Sequence, residues 1–162
     1  QFLMQGGSVV VSTASFNANL SNSRLAAAPY NSGLDDWLMS MGFTIKNEMV
    51  LDPQNASLPI PVPRRVGPVS VNEIVMMPYP HFPDIRREGL NAGHPVTAGL
   101  NQLTFNWASP VILDADKHTE REVVEFVKSS SNSWASDDVN VMPDYQMYPQ
   151  NGFVPGVARN EY

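Results

Sequence analysis

The chain of 162 residues contains no cysteine. Disulfide bonds, thiol catalysis and thiolate metal sites are therefore excluded. The compartment is not decided by this absence, because cysteine-free proteins suit both the cytoplasm and the bacterial periplasm. No run of apolar residues approaches the ~20 that a membrane-spanning helix needs, and no signal-peptide pattern is present.

Charged side chains are also scarce, at 16% of residues, so the surface depends largely on Ser, Asn, Gln and Thr. The Lys and Arg residues are scattered, with adjacent arginines only at positions 64–65 and 86–87, and the formal net charge is −6. Nucleic acids and anionic membrane surfaces bind clustered positive charge. The composition therefore argues against both as partners.

Hydrophobic residues make up 43% of the chain, which is enough for a sizeable core. The length fits one domain over residues 1–162. The chain opens at Gln1 with what resembles a helix end, a Gly6-Gly7 stop and a β-branched run. We therefore expect a soluble fragment of a longer, membrane-anchored protein, with the membrane segments outside this chain.

Hydrophobic periodicity predicts the elements of the first third of the chain. Apolar residues recur at helical spacing over residues 32–41, which indicates an amphipathic helix. A buried strand is expected at residues 8–13, with a surface loop or frayed helix at residues 14–31. Short strands are expected at residues 43–45 and 49–51.

Prolines dominate the next part of the chain. The prolines concerned are Pro53, Pro59, Pro61, Pro63 and Pro68. They predict an extended, polyproline-like excursion over residues 53–69, which cannot be a central strand. A strand should follow at residues 69–77, with residues 74–77 buried, and then a rigid loop at residues 78–83.

The stretch from residue 91 to residue 113 organises the prediction for the remainder. It suggests a short helix at residues 96–100, alternating strand residues between 103 and 107, and a short buried run at residues 111–113. A further strand is expected at residues 121–128. Strands alternating with at least two helices favour an α/β fold, with an open, mainly parallel sheet flanked by helices.

Motifs of common catalytic and cofactor sites are missing. The sequence has no Gly-x-Ser-x-Gly elbow, no Walker loop and no Gly-x-Gly-x-x-Gly fingerprint. Asp114, Asp116 and His118 alternate and would share one side of an extended chain, but such a segment is more often a solvated turn than a metal site. We therefore expect no catalytic residue, no metal and no cofactor.

Contact residues are expected in loops that follow strands, because ligands of open α/β sheets bind at that edge. In two such loops the candidates are Asn17, Asn19, Ser131, Asn132 and Trp134. Trp134 either caps the sheet edge or stacks on a partner or a sugar ring. His94, which precedes Pro95, is a further candidate, although such a histidine is more often a turn residue.

Four segments carry a family resemblance. They are a helix-Gly-Gly-strand unit at residues 2–11, a helix and Val-x-Asp-Pro passage at residues 34–53, a His-Pro and Ala-Ser block at residues 94–110, and a Ser-x-x-Ser-Trp signature at residues 129–135. In this order and spacing they resemble the soluble domain of the GldG family. That family is the auxiliary component of ABC-2 type transport systems, first associated with gliding motility.

The resemblance implies an open α/β sheet similar to the class I glutamine amidotransferase-like fold, incomplete at the N-terminus. Enzymes with that fold use a nucleophilic cysteine, which this chain lacks. The resemblance therefore implies a non-enzymatic component at the bacterial inner membrane that faces the periplasm. It would bind the permease and ATPase subunits of an ABC transporter, another partner, or transported material such as a glycan or polymer.

Two alternatives stay open. A carbohydrate-binding module is suggested by candidate exposed aromatics among many Asn, Gln and Ser side chains. A divergent hydrolase is the other, with a site around His94, Ser109 and Asp114, and it requires these three groups to lie within hydrogen-bond reach of one another.

Overall fold

Antiparallel strands dominate the computed structural model, which describes residues 2–21, 24–157 and 162. The strands are β1 Phe16–Ser21, β2 Arg24–Pro29, β3 Phe43–Ile45, β4 Met49–Leu51, β5 Asn55–Val66, β6 Val69–Arg86, β7 Gln102–Thr104, β8 Val111–Leu113 and β9 Trp134–Ser136. Within these ranges the one α-helix, α1, is Asp35–Ser40. Single 3-10 turns occupy Leu3–Gln5, Arg87–Gly89 and Ala115–His118.

The predicted parallel α/β sheet, and with it the glutamine amidotransferase-like fold, is wrong. The described strands form four separate sheets, ordered β1-β2, β3-β8, β4-β9 and β5-β6-β7, and each pairing is antiparallel. A parallel pair needs a crossover of a dozen or more residues, usually a helix. The helix α1 has only 6 residues, and the proline-rich middle of the chain forms a hairpin instead of a crossover.

The beginning of the chain differs most from expectation. Residues 8–13 are not a strand, and Val10 is 95% exposed. The helix expected at residues 32–41 is present as the shorter α1. Of its apolar residues only Leu38 is buried, while Trp37 is exposed.

Where a loop or frayed helix was expected at residues 14–31, Phe16–Ser21 and Arg24–Pro29 pair as the antiparallel strands β1 and β2. The segment alternates: Phe16, Leu25 and Ala27 are buried, while Asn17 and Asn19 are exposed. Period-two alternation over paired strands outweighs the helix propensity of the alanines, because it allows one face of the hairpin to be buried.

The strands β3 and β4 have the predicted bounds, but their partners are distant in sequence. β3 pairs with β8, and β4 pairs with β9. The strand β8 also has its predicted bounds, yet its side chains are exposed instead of buried. Neither face of the two-stranded sheet β3-β8 is fully covered, so the apolar side chains of β8 remain open to solvent.

The hairpin β5–β6 is the longest element. β5 keeps the extended conformation predicted for the proline-rich segment, and it lies at the edge of its sheet, as its prolines require. β6 continues through residues 78–83, where a loop was predicted. Burial is reversed as well, because residues 74–77 are exposed or half-buried, whereas residues 79–85 are buried.

Of three further expectations in the second half, two are wrong and one is only partly met. The helix expected at residues 96–100 is a series of turns, and the strand expected over residues 103–107 is reduced to β7. Residues 121–128 form no strand, and an isolated β-bridge joins Val127 to Leu90. Backbone hydrogen bonds to residues 89 and 91 hold this segment in place of a regular β-ladder.

The core is centred on Tyr79 in β6. Its hydroxyl donates to the carbonyl of Val141 at 2.8 Å and accepts from Trp107 Nε1 at 3.2 Å. Phe82 and Phe153 present T-shaped contacts to its ring, at centroid distances of 4.7 and 5.6 Å. Burial raises the pKa of Tyr79, so the phenol stays protonated and available as a donor.

His81 lies two residues further along β6 and is also fully buried. Its ring stacks edge-on against Phe153 at 4.7 Å, and its Nδ1 has no hydrogen-bond partner among the described residues. Burial lowers the pKa of His81 from 6.5 to about 4, because an apolar surrounding disfavours the imidazolium.

We expect Tyr79→Phe to lower the free energy of unfolding by about 1–3 kcal/mol, because it leaves the Trp107 N–H and the Val141 carbonyl without their buried partner. Urea unfolding followed by fluorescence measures the change. Tyr30→Phe is the matched control, since Tyr30 is exposed and should change stability little. Equal effects of the two substitutions would contradict the assignment of the core.

His81 should make stability depend on pH. Its pKa in the folded state is below the unfolded value, so the unfolded state binds the extra proton, and stability falls as the pH drops from 6.5 towards 4. Between pH 7.5 and pH 5, the chain should lose about 2 kcal/mol more than the His81→Leu variant. Parallel losses in urea titrations of the two proteins would disprove this.

Candidate functional site

The Val-x-Asp-Pro passage and the serine-rich loop meet at Asp52, which follows β4 and is only 1% exposed. Its Oδ1 accepts from the N–H of Gln54 at 2.8 Å and from the hydroxyl of Ser130 at 2.7 Å. Its Oδ2 accepts from the N–H of Ser130 at 2.7 Å. This Asp52–Ser130 clasp joins two segments that are distant in sequence, beside the pairing of β4 with β9.

The serine-rich loop is held by further bonds among its own residues. The hydroxyls of Ser129 and Ser133 are 2.7 Å apart, and the N–H of Ser133 donates to the carbonyl of Ser130 at 3.0 Å. The backbone of Tyr162 donates to the Ser129 hydroxyl at 2.8 Å, and its carbonyl accepts from the Ser129 N–H at 2.8 Å. These serines shape the loop, and Ser131 is left at its outer side.

An open groove with a volume of about 810 Å³ lies next to this loop. Its lining combines β8, the segment 123–128 and the buried side chains of Val50 and Ile85, with Ser131 among the polar residues at the loop. This volume and a mainly apolar lining are typical of ligand and peptide clefts.

Several apolar side chains of the groove are open to solvent. Val111 in β8 is 57% exposed, and Ile112, Val124 and Phe126 are exposed as well. Glu125 and Lys128 in the same segment form an ion pair at 2.9 Å, so the charges on this part of the lining are balanced. The groove is therefore a nearly neutral, apolar surface in a chain with a net charge of −6.

The structure brings two of the predicted contact residues to this groove. Ser131 lines it directly. The ring of His94 lies 4.4 Å from that of Phe126, and its Nδ1 accepts from the N–H of Val96 at 3.3 Å, as expected of a turn residue. Asn132 is exposed on the same loop as Ser131.

The other predicted contact residues lie elsewhere. Trp134 is 6% exposed and belongs to the core, so its side chain is not presented to a partner. Asn17 and Asn19 are exposed on the outer face of β1, and no hydrogen bond or ring contact of the described residues joins them to the groove. Sequence reasoning placed all of them in loops because it missed the strands β1 and β9.

The groups required by the hydrolase alternative do not form a catalytic constellation. Ser109 Oγ accepts from the N–H of Ser15 at 3.4 Å, and Asp114 pairs with Lys117 at 3.7 Å. Among the described side chains, no hydrogen bond joins Ser109, Asp114 and His94.

The alternating acidic residues also fail to converge. His118 is buried, and its Nε2 lies 3.3 Å from the carbonyl of Gly42. No group of three or more His, Asp or Glu side chains among the described residues is placed to hold a metal ion.

Sequence reasoning missed the groove, because its lining comes from segments far apart in the chain. The sequence predicts a short buried run at residues 111–113 and a strand at residues 121–128, and neither expectation identifies an exposed apolar lining. The sequence did contain a signal for this surface. It predicts too few helices to cover both faces of all its predicted strands. Apolar strand residues without a cover indicate a surface for a partner.

The Asp52–Ser130 clasp should be essential for stability. Asp52→Asn keeps the size of the side chain but turns one acceptor oxygen into a donor that faces existing donors, so the free energy of unfolding should fall by at least about 2 kcal/mol. Asp137→Asn is the matched control, because Asp137 is exposed. Thermal unfolding would show the difference, and a wild-type melting temperature for Asp52→Asn would refute the role of the clasp.

No helix in the part of the chain that the structure describes has the length and apolarity to cross a membrane. Neither a curated protein nor a solved structure matches the chain. One family model matches residues 1–158, and its description is an ABC-type uncharacterized transport system. Membership implies association with such a system, in an auxiliary role. Because the match covers nearly the whole sequence, the chain belongs to this family of ABC-type transport system proteins.

Proposed function

We propose that the chain is a GldG-like, non-enzymatic auxiliary component of an ABC transporter, and that it binds a subunit of the transporter through the groove. The observation that carries the proposal is an open, apolar groove of about 810 Å³ in a member of a transport-system family. Contact with the permease is the preferred form, with the ATPase reached through it. A periplasm-facing position at the bacterial inner membrane completes the proposal and rests on the GldG resemblance.

Exposed apolar side chains support a protein partner. A contiguous apolar patch on a soluble surface costs free energy unless it is covered, and such patches mark interaction sites. Here Val111, Ile112 and Phe126 lie on one groove beside the polar Ser131. An apolar centre with polar residues at the margin is the usual anatomy of a protein interface.

The polar groups nearby support a structural role instead of a catalytic one. Asp52 is buried, and both of its oxygens accept hydrogen bonds from the chain itself. The serines around it bond to one another or to the backbone. A general base needs access to substrate, and Asp52 has none.

The carbohydrate-binding alternative has lost its main support. It was motivated by candidate exposed aromatic residues among many Asn, Gln and Ser side chains, and Trp134, the candidate beside the serine-rich loop, is in the core. The groove exposes the rings of Phe105 and Phe126, but its lining is mainly apolar, whereas a sugar site needs several hydrogen-bonding groups beside an aromatic face.

A charge in the groove should abolish the interaction. Val111→Asp is expected to reduce recovery of ABC-transporter subunits at least about tenfold, because an unpaired carboxylate would be buried on binding. The measurement is affinity purification of the protein that contains this chain from gently solubilised membranes, followed by mass spectrometry.

The matched control is Val154→Asp, since Val154 is 61% exposed and lies outside the groove. It should leave recovery unchanged. The proposal fails if no ABC subunit is recovered with the wild-type protein, or if both variants recover the subunits equally.

A further inference from the structure

The distal part of the β5–β6 hairpin projects as an arm formed by residues 58–77. Nine residue pairs, from Leu58 with Met77 to Val66 with Val69, follow one another in register, which corresponds to a length of about 30 Å. Every residue from 61 to 74 is exposed. A two-stranded hairpin of this kind is only marginally stable in water unless further strands or a packed surface support it.

The two edges of the arm differ in their capacity to pair. Pro59, Pro61 and Pro63 have no N–H group, yet each holds its place in the ladder. The ladder bonds of β5 must therefore come from the residues between them, such as Ile60 and Val62. Because successive residues of a strand point their N–H and C=O groups to opposite sides, the prolines face outward. The outer edge of β5 thus lacks three donors and is closed to another strand.

The outer edge of β6 is open by the same reasoning. Its outward-facing residues in the arm are Ser70, Asn72, Ile74 and Met76. Among the described residues, no hydrogen bond from outside the hairpin reaches their backbone groups. The next outward carbonyl, that of Pro78, accepts from the hydroxyl of Tyr145 at 2.7 Å. The body of the protein therefore covers the edge up to Pro78 and leaves four donors and four acceptors free beyond it.

These backbone groups specify a β-strand as the occupant, since only a strand supplies donors and acceptors at matching intervals. A second copy of the same edge matches in length, because Pro68 and Pro78 bound the open run in both copies. The distribution of charge also favours this contact: Arg64, Arg65 and Glu73 give the arm a net charge of +1, so the rest of the chain carries −7 of the total of −6. Pairing through the arms keeps the acidic bodies apart.

We propose that two copies of the chain associate by antiparallel pairing of their β6 edges, which creates a four-stranded sheet around a two-fold axis at Ile74. An axis at Glu73 would place two carboxylates directly opposite each other, which is unfavourable. An axis at Ile74 instead places the Ile74 side chains of the two copies opposite each other, and each of them is 68% exposed in the single chain. It also pairs Asn72 with Met76 of the other copy. The closed, isologous contact forms a dimer and not a filament.

Sedimentation equilibrium of the chain and two proline variants tests this inference. The wild type should be a dimer, Asn72→Pro a monomer, and Arg65→Pro a dimer. Asn72→Pro removes an outward N–H from the open edge, whereas Arg65→Pro removes an outward N–H from the edge of β5 that is already closed. A wild type that stays monomeric at its highest soluble concentration, or a dimer that Asn72→Pro leaves intact, would overturn the inference.

A second measurement covers the case that Asn72→Pro disturbs the fold. The chain has no cysteine, so a single introduced thiol reports on one contact only. Directly opposed residues in an antiparallel pair have Cα atoms about 5.5 Å apart, within the range of a disulfide. Ile74→Cys should therefore form a covalent dimer under mild oxidation, and Arg65→Cys should not. Equal cross-linking of both variants would contradict the paired edge, as would none with Ile74→Cys.

Discussion

The buried part of β6, from Tyr79 to Ile85, holds the separate sheets together. Its backbone carbonyls accept hydrogen bonds from backbone N–H groups of other segments. The Pro80 carbonyl accepts from Asp52 at 3.0 Å, the His81 carbonyl from Trp107 at 2.9 Å, and the Pro83 carbonyl from Phe105 at 3.0 Å. Two of these acceptors belong to prolines, which have no N–H to satisfy. A buried strand with irregular neighbours therefore avoids unpaired donors that would otherwise cost free energy. The ring of Tyr79 packs against the same neighbours from within the core.

This arrangement leaves the functional surfaces at the periphery. The Asp52–Ser130 clasp fixes the serine-rich loop beside β4, and Ser129 and Ser131 of that loop line the groove. Of the segments that carry the family resemblance, the Val-x-Asp-Pro passage and the serine-rich loop thus form a structural connection, and exposed apolar side chains lie beside them. A family role in an ABC-type transport system is consistent with a protein whose polar residues maintain its fold and whose apolar groove is open.

Local features were predictable from sequence, and long-range ones were not. The bounds of β3 and β4, a helix containing Trp37 and the extended course of the proline-rich segment follow from residue pattern and from the geometry of proline. Burial of residues 79–85 does not, because a run with several prolines usually indicates a surface loop. The pairing of β3 with β8 and of β4 with β9 joins distant segments, and periodicity contains no information on such partners. For the site, Ser131 lines the groove and the ring of His94 contacts that of Phe126, whereas the exposed strand β8 was expected to be a buried run.

Site-specific photo-crosslinking in intact cells tests the central claim most directly. A photoreactive amino acid would replace Val111, which is exposed in the groove, and in a parallel strain Val154, which is exposed outside it. The account predicts a covalent adduct between the Val111 position and a subunit of the ABC transporter, with none from the Val154 position. An adduct only with unrelated proteins, or equal adducts from both positions, would contradict the groove as the contact with the transport system.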